Sequence, residues 1–156
     1  MPIRRNNQAP PQDAIAMLKA DHQKVRDLFQ QYEATRDPSA KREVAETVFI
    51  ELETHAQLEE NVFYPAVNEE TEDGPALVKE SLEAHETMKH LIQELRSMGP
   101  DPHAFDAKFR ALLQHVEHHV AEEEAAMFPL AEEELEEDMK DLRDEMQELK
   151  KDIMAS

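Results

Sequence analysis

One pattern of residues occurs twice in this chain and decides its fold: residues 55–65 read HAQLEENVFYP, and residues 119–129 read HVAEEEAAMFP. The two segments align without a gap at a separation of 64 positions, and they share a histidine, two glutamates, an aromatic residue and a proline. His22 and His85, each upstream of one segment, are 63 positions apart. The sequence therefore predicts two copies of a helical hairpin, related by a pseudo-two-fold axis.

Prolines and glycines divide the rest of the chain into helices with short connections. Asp13 can cap a first helix that runs to about Arg36, and Asp37-Pro38 begins a second, because aspartate accepts from free N–H groups and proline lacks one. Asp73-Gly74-Pro75 opens a third helix, and Asp101-Pro102 opens a fourth. Every helix carries an apolar stripe, and no window alternates as a strand does. We expect an all-α, up-down-up-down four-helix bundle over residues 13–130.

Composition excludes several classes of protein. The 156 residues suit one domain, and their formal charge of −19 argues against a nucleic-acid partner, because such binding needs surplus Lys and Arg. The chain has no cysteine, so disulfides, iron–sulfur clusters and thiol nucleophiles are excluded. No apolar run approaches the roughly 18 residues of a membrane span. We expect a cytoplasmic protein that binds no membrane.

Each apolar stripe contains polar residues where the spacing demands an apolar one. In chain order they are His22, His55, Glu59, His85, His119 and Glu123. Counted from the turns at roughly 1.5 Å per residue, all six lie at nearly the same height in the bundle. Burying them without partners would cost several kcal/mol for each charged group, which a marginally stable domain cannot absorb. A bound cation is the simplest compensation; the alternative is a metal-free bundle in which the six satisfy one another.

The donor set narrows the choice of metal. Four imidazoles with two carboxylates suit iron, manganese or zinc. Six ligands exceed the needs of one tetrahedral zinc ion, and Glu59 and Glu123, on opposite hairpins, can each bridge two ions. We therefore expect a centre with two Fe ions.

The pattern H…HxxxE…H…HxxxE in a four-helix bundle resembles the hemerythrin family, in particular the bacterial hemerythrin-like proteins with an HHE cation-binding domain, over about residues 14–130. The resemblance implies that the four histidines are terminal iron ligands and that the two glutamates are bridging carboxylates. It also implies an oxo or hydroxo group between the irons.

At one position where the oxygen-carrying hemerythrins have an iron ligand, this chain has a different residue. Those proteins have a fifth histidine one turn after the third-helix ligand, and this chain has Lys89 there. Glu86, Glu60, Tyr64 or a water are the alternatives for completing the metal shell. We expect a protein that binds or reduces a small oxidant (oxygen, peroxide or nitric oxide), with simple oxygen carriage disfavoured. Peroxide or nitric oxide redox activity would make it an enzyme. The alternative is an iron-binding or sensing module that acts through assembly or a partner, without catalysis.

The two ends of the chain differ from the bundle. Residues 1–12 are polar and proline-rich, which is typical of a disordered tail. Residues 131–156 predict an acidic helix with apolar residues at alternating spacings of three and four, from Leu135 to Ile153. A seam of that length favours contact with another surface, so we expect a homo-oligomer formed through this helix. The alternative is a helix that covers its own bundle.

Overall fold

The computed structural model describes residues 11–155, and in that part of the chain the structure is helical without strands, as predicted. The order is α1 (Ala14–Ala34), α2 (Pro38–Leu58), a π-helical turn π1 (Glu59–Phe63), α3 (Tyr64–Glu70), α4 (Gly74–Arg96), α5 (Pro102–Glu122), a second π-helical turn π2 (Glu123–Met127), α6 (Phe128–Glu134), a 3₁₀ turn (Glu136–Asp138) and α7 (Met139–Ala155). Residues 1–10 of the predicted disordered tail lie outside the described residues.

Aspartates begin three of the long helices at the predicted positions. Asp13 and Asp37 each accept a hydrogen bond from the backbone N–H three residues later, at 2.9 Å in both cases. Asp101 accepts from two N–H groups of the first turn of α5, at 3.0 and 3.3 Å. A capped start satisfies N–H groups that have no partner in the helix. The caps fix where each helix begins, and thereby the height of its polar residues in the bundle.

A tight turn joins α3 to α4 at Gly74. A Cβ atom at this position would collide with the hydroxyl of Thr71 and with the backbone carbonyl of Val67. That hydroxyl donates to the same carbonyl at 2.8 Å, so the obstacle is held in place. Glycine lets α4 start against the end of α3 and run back along the bundle.

Two apolar clusters occupy opposite ends of the bundle, and the polar residues lie between them. α1 pairs with α2, α4 pairs with α5, and α2 contacts α4. Along α1, Leu18 belongs to one cluster and Val25 to the other, with His22 between them. Along α4, Val78 and Met88 are divided in the same way around His85. The core is therefore two apolar ends separated by one polar layer.

π-helical turns interrupt the second and fourth helices expected from the sequence: π1 lies between α2 and α3, and π2 lies between α5 and α6. The sequence did not predict these turns. The N–H of Tyr64 bonds to the carbonyl of Glu59, and that of Phe128 to the carbonyl of Glu123. Pro65 and Pro129 each lie two residues after the end of a turn; proline cannot make the regular helical hydrogen bond and crowds the carbonyl four residues before it. After the first turn, Tyr64 donates a hydrogen bond from its hydroxyl to Glu59, the residue that begins that turn.

The C-terminal helix α7 packs on its own bundle, along α1, α2 and π1. Leu135, Met139, Leu142 and Met146 are buried in the apolar cluster at this end, and Leu149 and Ile153 pack at its edge. The seam therefore covers the bundle, and the homo-oligomer expected through it stays a prediction. Within residues 11–155, no helix is long and apolar enough to cross a bilayer.

Candidate metal centre

The six polar residues meet in the buried layer, in two groups whose donor atoms lie within 4.8 Å of one another. His22, His55, Glu59 and Glu123 form the first group, and Glu59, His85 and His119 form the second. Each hairpin supplies one histidine pair: His22 and His55 have ring centroids 4.9 Å apart, and His85 and His119 have theirs 5.0 Å apart. Glu59 belongs to both groups.

Each glutamate faces both histidine pairs, with one oxygen toward each. Glu59 places Oε2 3.3 Å from Nε2 of His55 and Oε1 3.1 Å from Nε2 of His85. Glu123 repeats the arrangement by the pseudo-two-fold axis: Oε1 lies 3.2 Å from Nε2 of His22, and Oε2 lies 3.7 Å from Nε2 of His119. Two carboxylates therefore span the space between two pairs of imidazoles.

Most of these inward atoms have no hydrogen bond. Among the described residues, five fully buried side-chain atoms have no hydrogen-bond partner: Nε2 of His22, His55 and His119, Oε2 of Glu59 and Oε1 of Glu123. Buried polar atoms are satisfied almost everywhere in proteins, because desolvating an unpaired one costs about 1–3 kcal/mol. All five belong to the predicted ligand set. The residues present fit a bound cation, which would satisfy these atoms together.

Carboxylates hold the outer nitrogen of three of the histidines. Nδ1 of His22 lies 2.7 Å from Glu124, and Nδ1 of His85 lies 2.7 Å from Glu60, so each hairpin fixes the histidine of the other. Asp21 holds Nδ1 of His55 at 2.9 Å. A carboxylate on one ring nitrogen fixes the tautomer and presents the other nitrogen as a metal ligand. Asp21 and Glu124 were not identified from the sequence, and Glu60 was named only as an alternative for completing the metal shell, although Glu60 and Glu124 directly follow Glu59 and Glu123.

Two basic residues complete this outer shell. Lys89 donates to Glu60 at 3.2 Å, and Arg26 lies 4.0 Å from Glu124. Arg26 and Lys89 are equivalent positions of the repeat, each four residues after the single histidine. Lys89, which stands where the oxygen carriers have their fifth histidine, thus donates to the carboxylate that holds Nδ1 of His85.

Among the residues expected to complete the metal shell, Tyr64 is the one whose side chain reaches the polar layer. Its hydroxyl donates to Glu123 at 2.5 Å and to Glu59 at 2.9 Å, and it lies 3.4 Å from Nε2 of His85. Its repeat equivalent, Phe128, has no hydroxyl and stacks on His22. Of the other candidates, Glu86 is exposed, and Glu60 bonds the outer nitrogen of His85. The site is therefore asymmetric: a tyrosine hydroxyl lies beside His85, whereas a phenylalanine ring lies beside His22.

The electrostatics of the layer reflect two buried carboxylates at close range. Burial and the charge of Glu59 raise the pKa of Glu123 to about 7. Burial opposes ionisation of Glu59 as well, but the charge of His55 and the hydrogen bond with His85 outweigh burial and hold its pKa well below the usual value. Burial lowers the pKa of His119 to about 4, helped by repulsion from the other histidines. Burial and both glutamates raise the pKa of the Tyr64 hydroxyl.

A small cavity lies against the four histidines, on the side away from the glutamates. Its volume is about 20 Å3, which is room for one water-sized molecule. Its remaining walls are mainly apolar, from Val25, Leu52, Ala56, Ala84, Met88, Val116 and Val120, and the polar members are Asp21, Arg26, His115 and Glu117. The layer therefore has space for a ligand of one or two heavy atoms.

Comparison with known proteins agrees with the site. The sequence profile of the Hemerythrin HHE cation binding domain matches residues 13–131. A DNA nickase of Nostoc sp. (strain PCC 7120) is 32% identical over 117 residues, which are 75% of this chain and 32% of that protein. The chain thus spans about a third of the length of that curated relative. No solved structure matches the chain significantly.

Proposed function

This chain belongs to the hemerythrin HHE cation-binding family, and on that premise we propose that it is a non-haem di-iron protein that binds or reduces a small oxidant. The oxidant would be oxygen, peroxide or nitric oxide. The metal ligands would be the six residues of the two groups: His22, His55, Glu59, His85, His119 and Glu123.

One observation carries the proposal of two ions. Glu59 and Glu123 each direct one oxygen to the His22/His55 pair and the other to the His85/His119 pair. A single ion would use one histidine pair and leave the inward nitrogens of the other without a partner. Two ions would be held by both histidine pairs and both glutamates, so that no inward nitrogen would be left without a partner. Such a set of nitrogen and oxygen donors suits iron.

When bound, the two ions would supply electron exchange with the oxidant. The protein would contribute the position of the ligands and a small space beside them. Glu60, Glu124 and Asp21 hold the imidazoles in one orientation, and the apolar cavity limits the ligand to a small molecule. Tyr64, with its raised pKa, keeps its proton on the hydroxyl oxygen and donates it in hydrogen bonds to the glutamates.

The experiment is a count of metal per chain by elemental analysis, in protein purified without chelators and after anaerobic loading with ferrous iron. About two irons per chain would support the proposal. One zinc, or no metal after loading, would contradict it. Turnover of peroxide by the iron-loaded protein would then establish an enzyme.

A second candidate, an iron-sensing module without catalysis, is favoured by one contact. Lys150 of α7 lies 3.7 Å from Asp21, and Asp21 holds the imidazole of His55. The C-terminal helix is thus two contacts from a proposed ligand, so occupancy of the site could change how α7 packs. A change of assembly on iron loading, without turnover, would favour this candidate.

Partners and location are proposals as well. DNA nicking belongs to the name of a relative more than twice as long as this chain; for this chain the charge of −19 supports the absence of a nucleic-acid partner. We propose a cytoplasmic protein with no membrane partner, whose ligand is a diatomic molecule or peroxide.

A further inference from the structure

The two hairpins are covered differently, although the repeat relates them. α7 lies along α1, α2 and π1. The equivalent face, formed by α4, α5 and π2, carries an open groove of about 470 Å3. The floor of this groove includes His119 and Glu123, so one end of the polar layer is reached from the surface on this side.

Positions that the repeat relates are apolar on the covered face and polar in the groove, so the groove is suited to contact with solvent. Met17 and Leu58 are buried under α7, and their repeat equivalents are Glu80 and Glu122, which are exposed at the groove. Thr54 is buried on the covered face, whereas its equivalent His118 is 75% exposed. A second helix could not bury this polar face as α7 buries the other, because charged groups lose hydration without gaining partners.

A small residue, Ala84, leaves the groove open toward the polar layer. On the covered face Asp21 bonds Nδ1 of His55 and pairs with Lys150. Its repeat equivalent is Ala84, which lines the groove and has no side chain to reach His119. His119 is accordingly the ligand histidine for which the described residues provide no carboxylate at Nδ1.

The charge of the groove selects cations. Glu80, Glu83 and Glu122 line it, and among the described residues no lysine or arginine does; His118 also lines it and lies 2.5 Å from Glu122. His119, which lines the groove, has its Nε2 atom buried without a hydrogen-bond partner. A cleft lined by one sign of charge concentrates counter-ions and raises their association rate.

We propose that this groove is the route by which divalent metal cations, ferrous iron above all, reach the buried layer. Glu80, Glu83 and Glu122 attract the cation, and His119 with Glu123 receives it. The inference rests on the proposed function, because it needs a metal centre at the floor of the groove.

The test measures the rate and the extent of loading separately. Cobalt(II) is added anaerobically to the metal-free full chain and followed by its visible absorption; iron(II) is then used, followed by competition with a chelator. The variant E80Q/E83Q/E122Q is compared with E132Q/E133Q/E137Q, which removes the same charge from exposed glutamates outside the groove. We expect loading of the groove variant to be about three- to tenfold slower than that of the control at low salt, with an unchanged final metal content. The difference should shrink at high salt because the charges are screened.

A second pair of variants tests the route by obstruction. Ala126 lines the groove, whereas Ala121 is exposed on the same hairpin outside it. We expect A126F to slow loading at every ionic strength and A121F to leave it unchanged.

The outcomes separate the two proposals. Equal loading rates for the groove variants and their controls, with normal final metal content, would overturn the route alone. A wild-type chain that binds neither cobalt nor iron at equilibrium would overturn the proposed function, and the route with it.

Discussion

Glu124 lies 2.7 Å from Nδ1 of His22 across the bundle, and the repeat places Glu60 at the same 2.7 Å from Nδ1 of His85. Each hairpin therefore orients the single histidine of the other, so the two halves depend on each other at the polar layer. Glu60 and Glu124, which follow Glu59 and Glu123 in the sequence, thus each hold the outer nitrogen of a histidine ring.

Replacing either of these glutamates with glutamine should weaken metal binding. E60Q and E124Q lose the carboxylate that fixes the ring, and such partners typically contribute about 10–100-fold in metal affinity. The affinity is measured by competition with a chelator of known strength. Glu86, exposed and next to His85 in sequence, provides the matched control E86Q. Equal affinities for all three variants would show that the outer carboxylates do not tune the site.

The two glutamates at the centre should affect both ions, and the histidines only one. E59A removes a residue common to both donor groups, so we expect loss of both ions. The double variant H22A/H55A leaves the His85/His119 pair complete, so we expect about half the wild-type metal content. Elemental analysis after anaerobic iron loading gives the number per chain. Full metal content in E59A would contradict a shared carboxylate.

Much of this site could be predicted from the sequence, because helical spacing determines on which face of its helix a residue lies and at what height in the bundle. The caps at Asp13, Asp37 and Asp101 set the register, and six polar residues then fell in one layer. The π-helical turns could not be predicted in this way, since they depend on how a helix relieves Pro65 and Pro129. The contacts of Glu60, Glu124 and Asp21 were missed because they cross between helices, and no spacing within one helix reports them.

The C-terminal seam illustrates the same limit. Spacings of three and four between Leu135 and Ile153 indicated an apolar face, but they are equally compatible with a partner chain and with the chain's own bundle. The bundle supplies the partner here through apolar residues of α1 such as Met17 and Leu18, whose repeat equivalents Glu80 and Ser81 are polar. That difference between the two halves of the repeat is visible in the sequence, and it favours the chain's own bundle as the surface that the seam covers.

The hydroxyl of Tyr64 should stabilise the metal-free fold. Y64F gives this position the same side chain as Phe128 and removes the donor to Glu59 and Glu123, so we expect a loss of about 1–3 kcal/mol in the free energy of unfolding. Chemical denaturation of the metal-free protein measures it. We also expect the absorption spectrum of the iron-loaded protein to change. The matched control is Y32F, since Tyr32 is equally buried but lies in the other apolar cluster, beside Asp106; an unchanged spectrum in Y64F and Y32F alike would contradict a role at the site.

Packing of α7 on the bundle predicts a large difference between two methionines of that helix. Met146 is fully buried and Met154 is 65% exposed. M146A should lower the free energy of unfolding by about 2–5 kcal/mol through the cavity it leaves, whereas M154A should be nearly neutral. Light scattering on both variants reports the mass in solution. If the seam instead joined two copies, M146A would lower the mass at a concentration where M154A keeps it.

The two glycines of the chain should respond in opposite ways to alanine. At Gly74 the added methyl would meet the Thr71 hydroxyl and the Val67 carbonyl, whereas at Gly99 nothing lies within 4 Å of it. Because the carbonyl is part of the backbone of α3, the turn must shift to admit the methyl, and we expect G74A to cost about 1–3 kcal/mol of stability. G99A should be neutral or stabilising by about 0.4–1 kcal/mol, since alanine restricts the unfolded chain. Thermal unfolding of the two variants decides the matter, and equal melting temperatures would mean that the turn into α4 does not require a close approach.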